Sequence, residues 1–201
     1  DDKGLRLPPK IAPIQLVIIP ITKSEDQVNE LKAYLDPITK NLKESGIRMH
    51  EDWTSNSPGY KFNEWEMKGV PLRMEVGPRD VKEQKVVLVR RDDKEKLFMS
   101  KNNILDFIQK LLKDIQSDLF DRARDFRDSN THHVKDYNEF KSVISRGGFV
   151  RCGWNGNPET EVSIKEETKA TIRCIPFNEE PKGLSCIFSG EEAKHEVVFA
   201  K

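Results

Sequence analysis

Aromatic, acidic and basic side chains alternate within one short part of the chain, residues 57–80. Phe62 and Glu66 are four residues apart, so a helix places them on one face. Arg73 follows in the next extended stretch. An aromatic ring can stack on an unpaired base, a carboxylate can accept the Watson–Crick donors of guanine, and an arginine fork matches its O6 and N7. The same residues also fit a surface ion pair beside a core phenylalanine, which composition alone favours.

No spacing in the sequence is typical of a catalytic centre. There is no Gly-rich phosphate loop, no HExxH motif, and no serine or cysteine beside an obvious base. The histidines are scattered and are expected to be surface or packing residues: His50, His132, His133 and His195. This pattern favours a binding role over catalysis.

Charge and cysteine usage narrow the class of protein further. Lys+Arg and Asp+Glu are 34 each, for a formal net charge of zero, so any RNA contact must depend on a few placed side chains. No apolar run is long enough to cross a membrane, so no membrane partner is expected. Three cysteines without framework spacing predict a reducing compartment, the cytoplasm: Cys152, Cys174 and Cys186.

The elements that must position the 57–80 stretch alternate between strands and helices. A helix from Ser24 is expected to kink or split at Pro37, and a long helix is expected to begin after Ser100. A short helix should end at Gly69, and strand 71–76 should place Leu72, Met74 and Val76 on one face and Arg73 and Glu75 on the other. Further strands are predicted at 14–19 and 47–51, with a hairpin at 85–91 and 94–99. Alternation of this kind indicates a layered α/β domain.

A second, smaller unit follows a charged stretch. The apolar stripe of the long helix fades between residues 121 and 135, where a domain joint is predicted. Beyond the joint we expect a short helix from Tyr137, strands at Phe149 and Ile172, and a final strand at 197–199. A unit of about 70 residues is near the size at which a core alone is marginal.

Three stretches of the chain resemble prolyl-tRNA synthetases of the kind shared by archaea, eukaryotes and some bacteria. Residues 58–80, with the core WEMKGVPLR at 65–73, resemble the anticodon-reading domain. Residues 1–9 resemble the exit from the class II catalytic domain. Residues 164–177 resemble the extra C-terminal domain of this subgroup, which threonyl, histidyl and glycyl relatives lack. The resemblance covers essentially the whole chain.

The resemblance implies an α/β fold: a mixed five-stranded sheet with flanking helices, followed by a small α/β domain. It implies a linker over 1–12, an anticodon-binding domain over 13–127 and a C-terminal domain over 128–201. The parent enzyme would attach proline to its tRNA with ATP and Mg, and would form a homodimer through a catalytic domain upstream of Asp1. The fragment alone would be inactive.

The resemblance also implies roles for individual residues in binding the proline tRNA. By position, Phe62, Glu66 and Arg73 would contact the guanines of the anticodon. Lys94 or Lys96 would support the anticodon loop. The alternative reading is a free-standing accessory or adaptor subunit that reuses the same fold.

One departure from the subgroup concerns zinc, which its members often hold with two cysteine pairs. Cys152 matches the first ligand, but its partner position falls within 157–161, where no cysteine occurs. Cys186 matches the third ligand, and its partner position is Ser189. Two thiolates cannot close a structural zinc site, so zinc is predicted to be absent. Cys174 is expected to be a buried non-ligand.

Overall fold

A computed structural model describes residues 1–22, 24–177, 181 and 183–201. The chain divides into two compact units, Asp1–Asp121 and Arg122–Lys201. Among the described residues, no helix combines the length and the apolar character needed to cross a lipid bilayer.

The first unit is built on a mixed five-stranded sheet of order β2-β1-β3-β4-β5, as the resemblance implied. Its strands are β1 (Leu16–Pro20), β2 (Met49–Glu51), β3 (Leu72–Val76), β4 (Lys85–Arg90) and β5 (Lys96–Ser100). Its helices are α1 (Glu25–Glu44), α2 (Pro58–Met67), α3 (Pro78–Lys82) and, as far as Asp121, α4 (Ile104–Ser129). The pairs β1–β2 and β1–β3 are parallel, while β3–β4 and β4–β5 are antiparallel.

The two faces of this sheet pack differently. Apolar residues of α1 and α4 pack on one face against Leu72, Met74 and Val76, which confirms the predicted alternation of β3. On the other face Val17 and Ile19 pack against Trp65 of α2. Arg73 and Glu75 point toward this second face, because they alternate with the three core residues of β3.

The predicted split of the first helix at Pro37 was wrong. Pro37 neither ends nor splits α1, which runs through it. The missing amide hydrogen leaves the carbonyl of Ala33 without its helical bond, but Leu35 and Ile38 on either side are buried and hold the helix in place. The long helix continues to Ser129, so it runs into the charged stretch at 121–135 where its apolar stripe fades.

The second unit is a four-stranded sheet of order β6-β7-β9-β8, with helices α5 (Tyr137–Arg146) and α6 (Pro158–Thr168). The strands are β6 (Thr131–His133), β7 (Phe149–Trp154), β8 (Thr171–Cys174) and β9 (His195–Ala200). Phe140 and Phe199 meet edge to face at 5.3 Å in its core. The sequence reading had missed α6 and β6.

Candidate nucleic-acid interface

Helix α2 carries two of the predicted site residues, and its start is set by local sequence. The hydroxyl of Ser57 accepts a hydrogen bond from the backbone amide of Tyr60, and Pro58 occupies the first turn. The helix ends at Met67, and Gly69 follows with a φ of +74°, which glycine adopts without strain. A Cβ at this position would lie 2.6 Å from that of Leu5, so glycine also permits the close approach of the N-terminal segment.

A buried ion pair fixes α2 to the end of β2. The Nζ of Lys61 lies 3.6 Å from Oδ1 of Asp52 and donates to its carbonyl oxygen at 2.9 Å. The indole Nε1 of Trp65 donates to Oδ2 of Asp52 at 2.8 Å. Burial raises the pKa of Asp52, but hydrogen bonds from Thr54 and Trp65, together with the charge of Lys61, bring it below its ordinary value. The carboxylate is therefore charged.

A second anchor holds the last turn of α2. The Nε of the buried Arg91 donates to the carbonyl oxygen of Glu66 at 3.0 Å. Its two Nη atoms donate to the carboxylate of Asp1 at 3.1 and 2.8 Å. The amide of Leu5 donates to the carbonyl of Met67 at 3.1 Å. The N-terminal segment thus lies along the end of the helix that carries Glu66.

The three residues predicted to read a base lie together. The guanidinium carbon of Arg73 is 4.2 Å from the ring centroid of Phe62. Its Nη1 donates to Oε1 of Glu66 at 3.0 Å, and its Nε donates to Oε1 of Glu75 at 2.9 Å. Arg73 is only 8% exposed. The Glu66–Arg73 pair is therefore a partly buried one, stacked on an aromatic ring, and not a surface pair.

The trio leaves polar atoms available on both charged residues. Within the described part of the chain, no group accepts a hydrogen bond from Nη2 of Arg73, and none donates to Oε2 of Glu66. A guanine base presents donors on its Watson–Crick edge and acceptors at O6 and N7. An available carboxylate oxygen and an available guanidinium nitrogen complement these two sets of atoms.

The two predicted lysines lie near different acidic members of this cluster. Lys94 lies in the β4–β5 turn with a φ of +65°. The neighbouring ammonium of Lys3 lowers the pKa of Lys94, and the charge of Glu66 opposes that effect. Lys96 reaches the cluster through Glu75, with its Nζ 3.9 Å from Oε2. The alternation of the strand had placed Glu75 on the same face as Arg73, but Glu75 was not among the predicted site residues.

The burial of the three cysteines differs from the prediction at Cys174. Cys152 and Cys186 are buried, but Cys174 is exposed, so the prediction of a buried Cys174 was wrong. The register of β8 shifts between Ile172 and Cys174, so the regular alternation of the strand is interrupted there. Burial, with further contributions from Cys186 and Glu196, raises the pKa of Cys152 to about 12.

Ser189, which stands at the position of the subgroup's fourth zinc ligand, belongs to a small hydrogen-bond network. The Nδ2 of Asn155 donates to Oγ of Ser189 at 3.3 Å and to Oε2 of Glu191 at 2.7 Å. The hydroxyl of Ser189 also donates to Glu191 at 3.0 Å. Among the described residues, no group of three or more His, Cys, Asp or Glu side chains is placed to hold a metal ion. These hydrogen bonds tie the loop at 186–191 to the end of β7.

Each of the two units contains a stretch that matches a known protein family. Residues 15–111 match the family described as "Anticodon binding domain", and residues 137–201 match the family described as "Prolyl-tRNA synthetase, C-terminal".

Individual relatives cover the whole chain. It is 42% identical to a proline--tRNA ligase of Flavobacterium johnsoniae, 48% identical to one of Acetoanaerobium sticklandii and 43% identical to one of Symbiobacterium thermophilum. The chain spans 41%, 42% and 43% of the lengths of these proteins. All three are bacterial, so they lend no support to an archaeal or eukaryotic type.

Proposed function

We propose that this chain, which corresponds to the C-terminal part of a prolyl-tRNA synthetase, reads the anticodon of the proline tRNA. The observation that carries the proposal is the cluster of Phe62, Glu66 and Arg73. It places a ring, a carboxylate and a guanidinium within hydrogen-bond or stacking distance of one another. Such a combination suits an unstacked guanine held at a protein surface.

Glu66 and Arg73 would recognise the guanine by hydrogen bonds to the edges of the base. Oε2 of Glu66 would accept from the N1 and N2 donors of the base, and Nη2 of Arg73 would donate to O6 or N7. Glu75 accepts from Nε of Arg73 and Glu66 accepts from Nη1, so two carboxylates fix the guanidinium plane before RNA arrives. Phe62 supports that plane from beneath. A preorganised pair of this kind loses little conformational entropy on binding.

The lysines would supply charge beside the recognised bases. The net charge of the chain is zero, so nonspecific attraction of RNA is weak and discrimination must come from placed contacts. Lys94 and Lys96 lie next to the acidic members of the cluster and would support the anticodon loop.

We further propose an organisation for the full protein. It would use ATP and Mg to attach proline to tRNA in a catalytic domain outside this chain, and would act in the cytoplasm as a homodimer formed by that domain. The anticodon-binding domain would span 13–127 and the C-terminal domain 128–201, after a linker at 1–12. Residues 164–177 motivate assignment to the subgroup shared by archaea, eukaryotes and some bacteria.

The test is made in the full-length ligase that carries this chain. Glu66→Gln keeps the size of the side chain but replaces an acceptor with a donor, and Arg73→Ala removes the fork. Good bidentate base contacts are worth roughly 1–3 kcal/mol, so each variant should lose about 10- to 100-fold in discrimination between the proline tRNA and an anticodon-mutated copy. Arg79→Ala is the matched control, because Arg79 forms an exposed pair with Glu83 at a similar distance, 2.9 Å.

Two measurements separate anticodon reading from damage to the enzyme. Proline-dependent pyrophosphate exchange should be nearly unchanged in all variants, since it reports adenylate formation in another domain. Charging of the two tRNAs should change in ratio for Glu66→Gln and Arg73→Ala only. If both variants charge the two tRNAs in the wild-type ratio, the cluster is merely an ion pair and the proposal fails.

A further inference from the structure

Strand β5 leaves a large aromatic side chain on the sheet face that carries the candidate interface. Phe98 is 69% exposed. Its neighbours Leu97 and Met99 pack against the core on the α1–α4 side. Because side chains alternate along a strand, Phe98 and Lys96 project from the opposite face, on which Arg73 and Glu75 also lie.

The strand register places Phe98 close to the base-reading cluster. Arg73 pairs with Val89, which pairs with Lys96. Glu75 pairs with Val87, which in turn pairs with Phe98. Neighbouring strands lie about 4.8 Å apart, so Phe98 is about 10 Å from Glu75 across two strands. That separation keeps both within reach of one RNA loop.

Phe98 is exposed on an edge strand of the sheet. An exposed apolar side chain on an edge strand promotes association between sheets, and edge strands are commonly protected by charge. Here Lys96 lies beside the ring on the same face, and its side chain is 55% exposed. An aromatic side chain flanked by lysine is typical of surfaces that bind single-stranded nucleic acid, since every base has a face to stack.

We infer that Phe98 is a stacking platform for an unpaired nucleotide next to the anticodon guanines, with Lys96 near its phosphate. The inference rests on the proposed function, because the RNA must be held at Glu66 and Arg73 for a neighbouring base to reach β5. Stacking has no sequence preference, so Phe98 contributes affinity and the Glu66–Arg73 pair contributes discrimination.

The experiment titrates this chain with proline tRNA at one fixed salt concentration and follows binding by fluorescence anisotropy. Phe98→Ala should weaken binding about 5- to 100-fold, because it removes base–aromatic stacking. Phe98→Leu, which keeps an apolar side chain without a π face, should bind the tRNA as weakly as Phe98→Ala. Phe98→Trp should restore most of the affinity. Phe126→Ala is the matched control, because Phe126 is also 69% exposed, and its affinity should equal that of the wild type.

A salt titration distinguishes the contribution of the Phe98 ring to binding from that of the Lys96 charge. Phe98→Ala should leave the slope of log affinity against log salt unchanged, whereas Lys96→Ala should reduce its magnitude by about one. Wild-type affinity in both Phe98→Ala and Phe98→Leu would overturn the inference, as would full affinity in Phe98→Leu alone. If the wild-type chain binds proline tRNA and an anticodon-mutated copy equally, the proposed function itself fails.

Discussion

Replacing Asp52 with alanine is expected to lower the free energy of unfolding of the first unit by about 3 kcal/mol. The side chain of Asp52 is only 3% exposed and accepts hydrogen bonds from Thr54 Oγ1 at 2.6 Å and Trp65 Nε1 at 2.8 Å. Its loss leaves the buried ammonium of Lys61 without a counter-charge, and breaking a buried pair in this way costs about 3–5 kcal/mol. The lower end applies here because Lys61 still donates to the backbone carbonyl of residue 52.

The pH dependence of this effect follows from the lowered pKa of Asp52. The folded-state pKa lies below the unfolded value of about 3.9, so the carboxylate stabilises the fold fully above that value. The stabilisation is lost as the pH falls through the folded-state pKa. The difference between the wild type and Asp52→Ala should therefore be largest near neutral pH and should shrink in acid.

Equilibrium urea denaturation measures the effect in a Trp154→Phe background. The remaining tryptophans, Trp53 and Trp65, both belong to the first unit, so their fluorescence reports its unfolding. Glu44→Gln is the control, because its pair with Lys40 is exposed and is worth about 0.5 kcal/mol or less.

A double variant tests whether the charge pair causes the loss. Asp52→Leu with Lys61→Met should recover much of the stability, since apolar replacements of a buried pair are often neutral or stabilising. A wild-type midpoint for Asp52→Ala would refute the argument that this pair anchors α2.

Three further predictions concern the second unit. Asn155→Ala should lower its stability by about 1–3 kcal/mol, because it removes hydrogen bonds to Ser189 and Glu191; faster amide exchange within residues 186–191 would report this. Iodoacetamide at pH 8 should alkylate the exposed Cys174 and spare Cys152, whose pKa is about 12; equal labelling by peptide mass would contradict this. Purified chain should contain almost no zinc; near one equivalent, removable by chelator with loss of structure, would refute the predicted absence.

The sequence was informative wherever local periodicity decides the structure. The alternation at 71–76 correctly placed Leu72 and Met74 in the core and Arg73 on the opposite face. The four-residue spacing of Phe62 and Glu66 correctly put both side chains on one face of α2, where Arg73 contacts each of them. Periods of 3.6 and 2.0 carry this information without any knowledge of distant contacts.

Local periodicity could not reveal features set by distant contacts or by weak patterns. The hydrogen bond between Arg91 and Asp1 joins residues 90 positions apart. No local sequence pattern near either residue predicts this contact. Helix α6 was missed because its sequence is mostly polar, with only Thr160 and Ile164 buried. The exposure of Cys174 follows from an irregular strand register, which simple alternation does not predict.

The most direct test is a binding titration of this chain against proline tRNA and a copy whose anticodon guanines are replaced. Both titrations use the same salt concentration, because phosphate contacts make affinity depend on salt. Loss of the Glu66 and Arg73 base contacts predicts about 10- to 100-fold weaker binding of the mutated tRNA. Equal affinity for the two tRNAs would contradict the claim that this chain reads the anticodon.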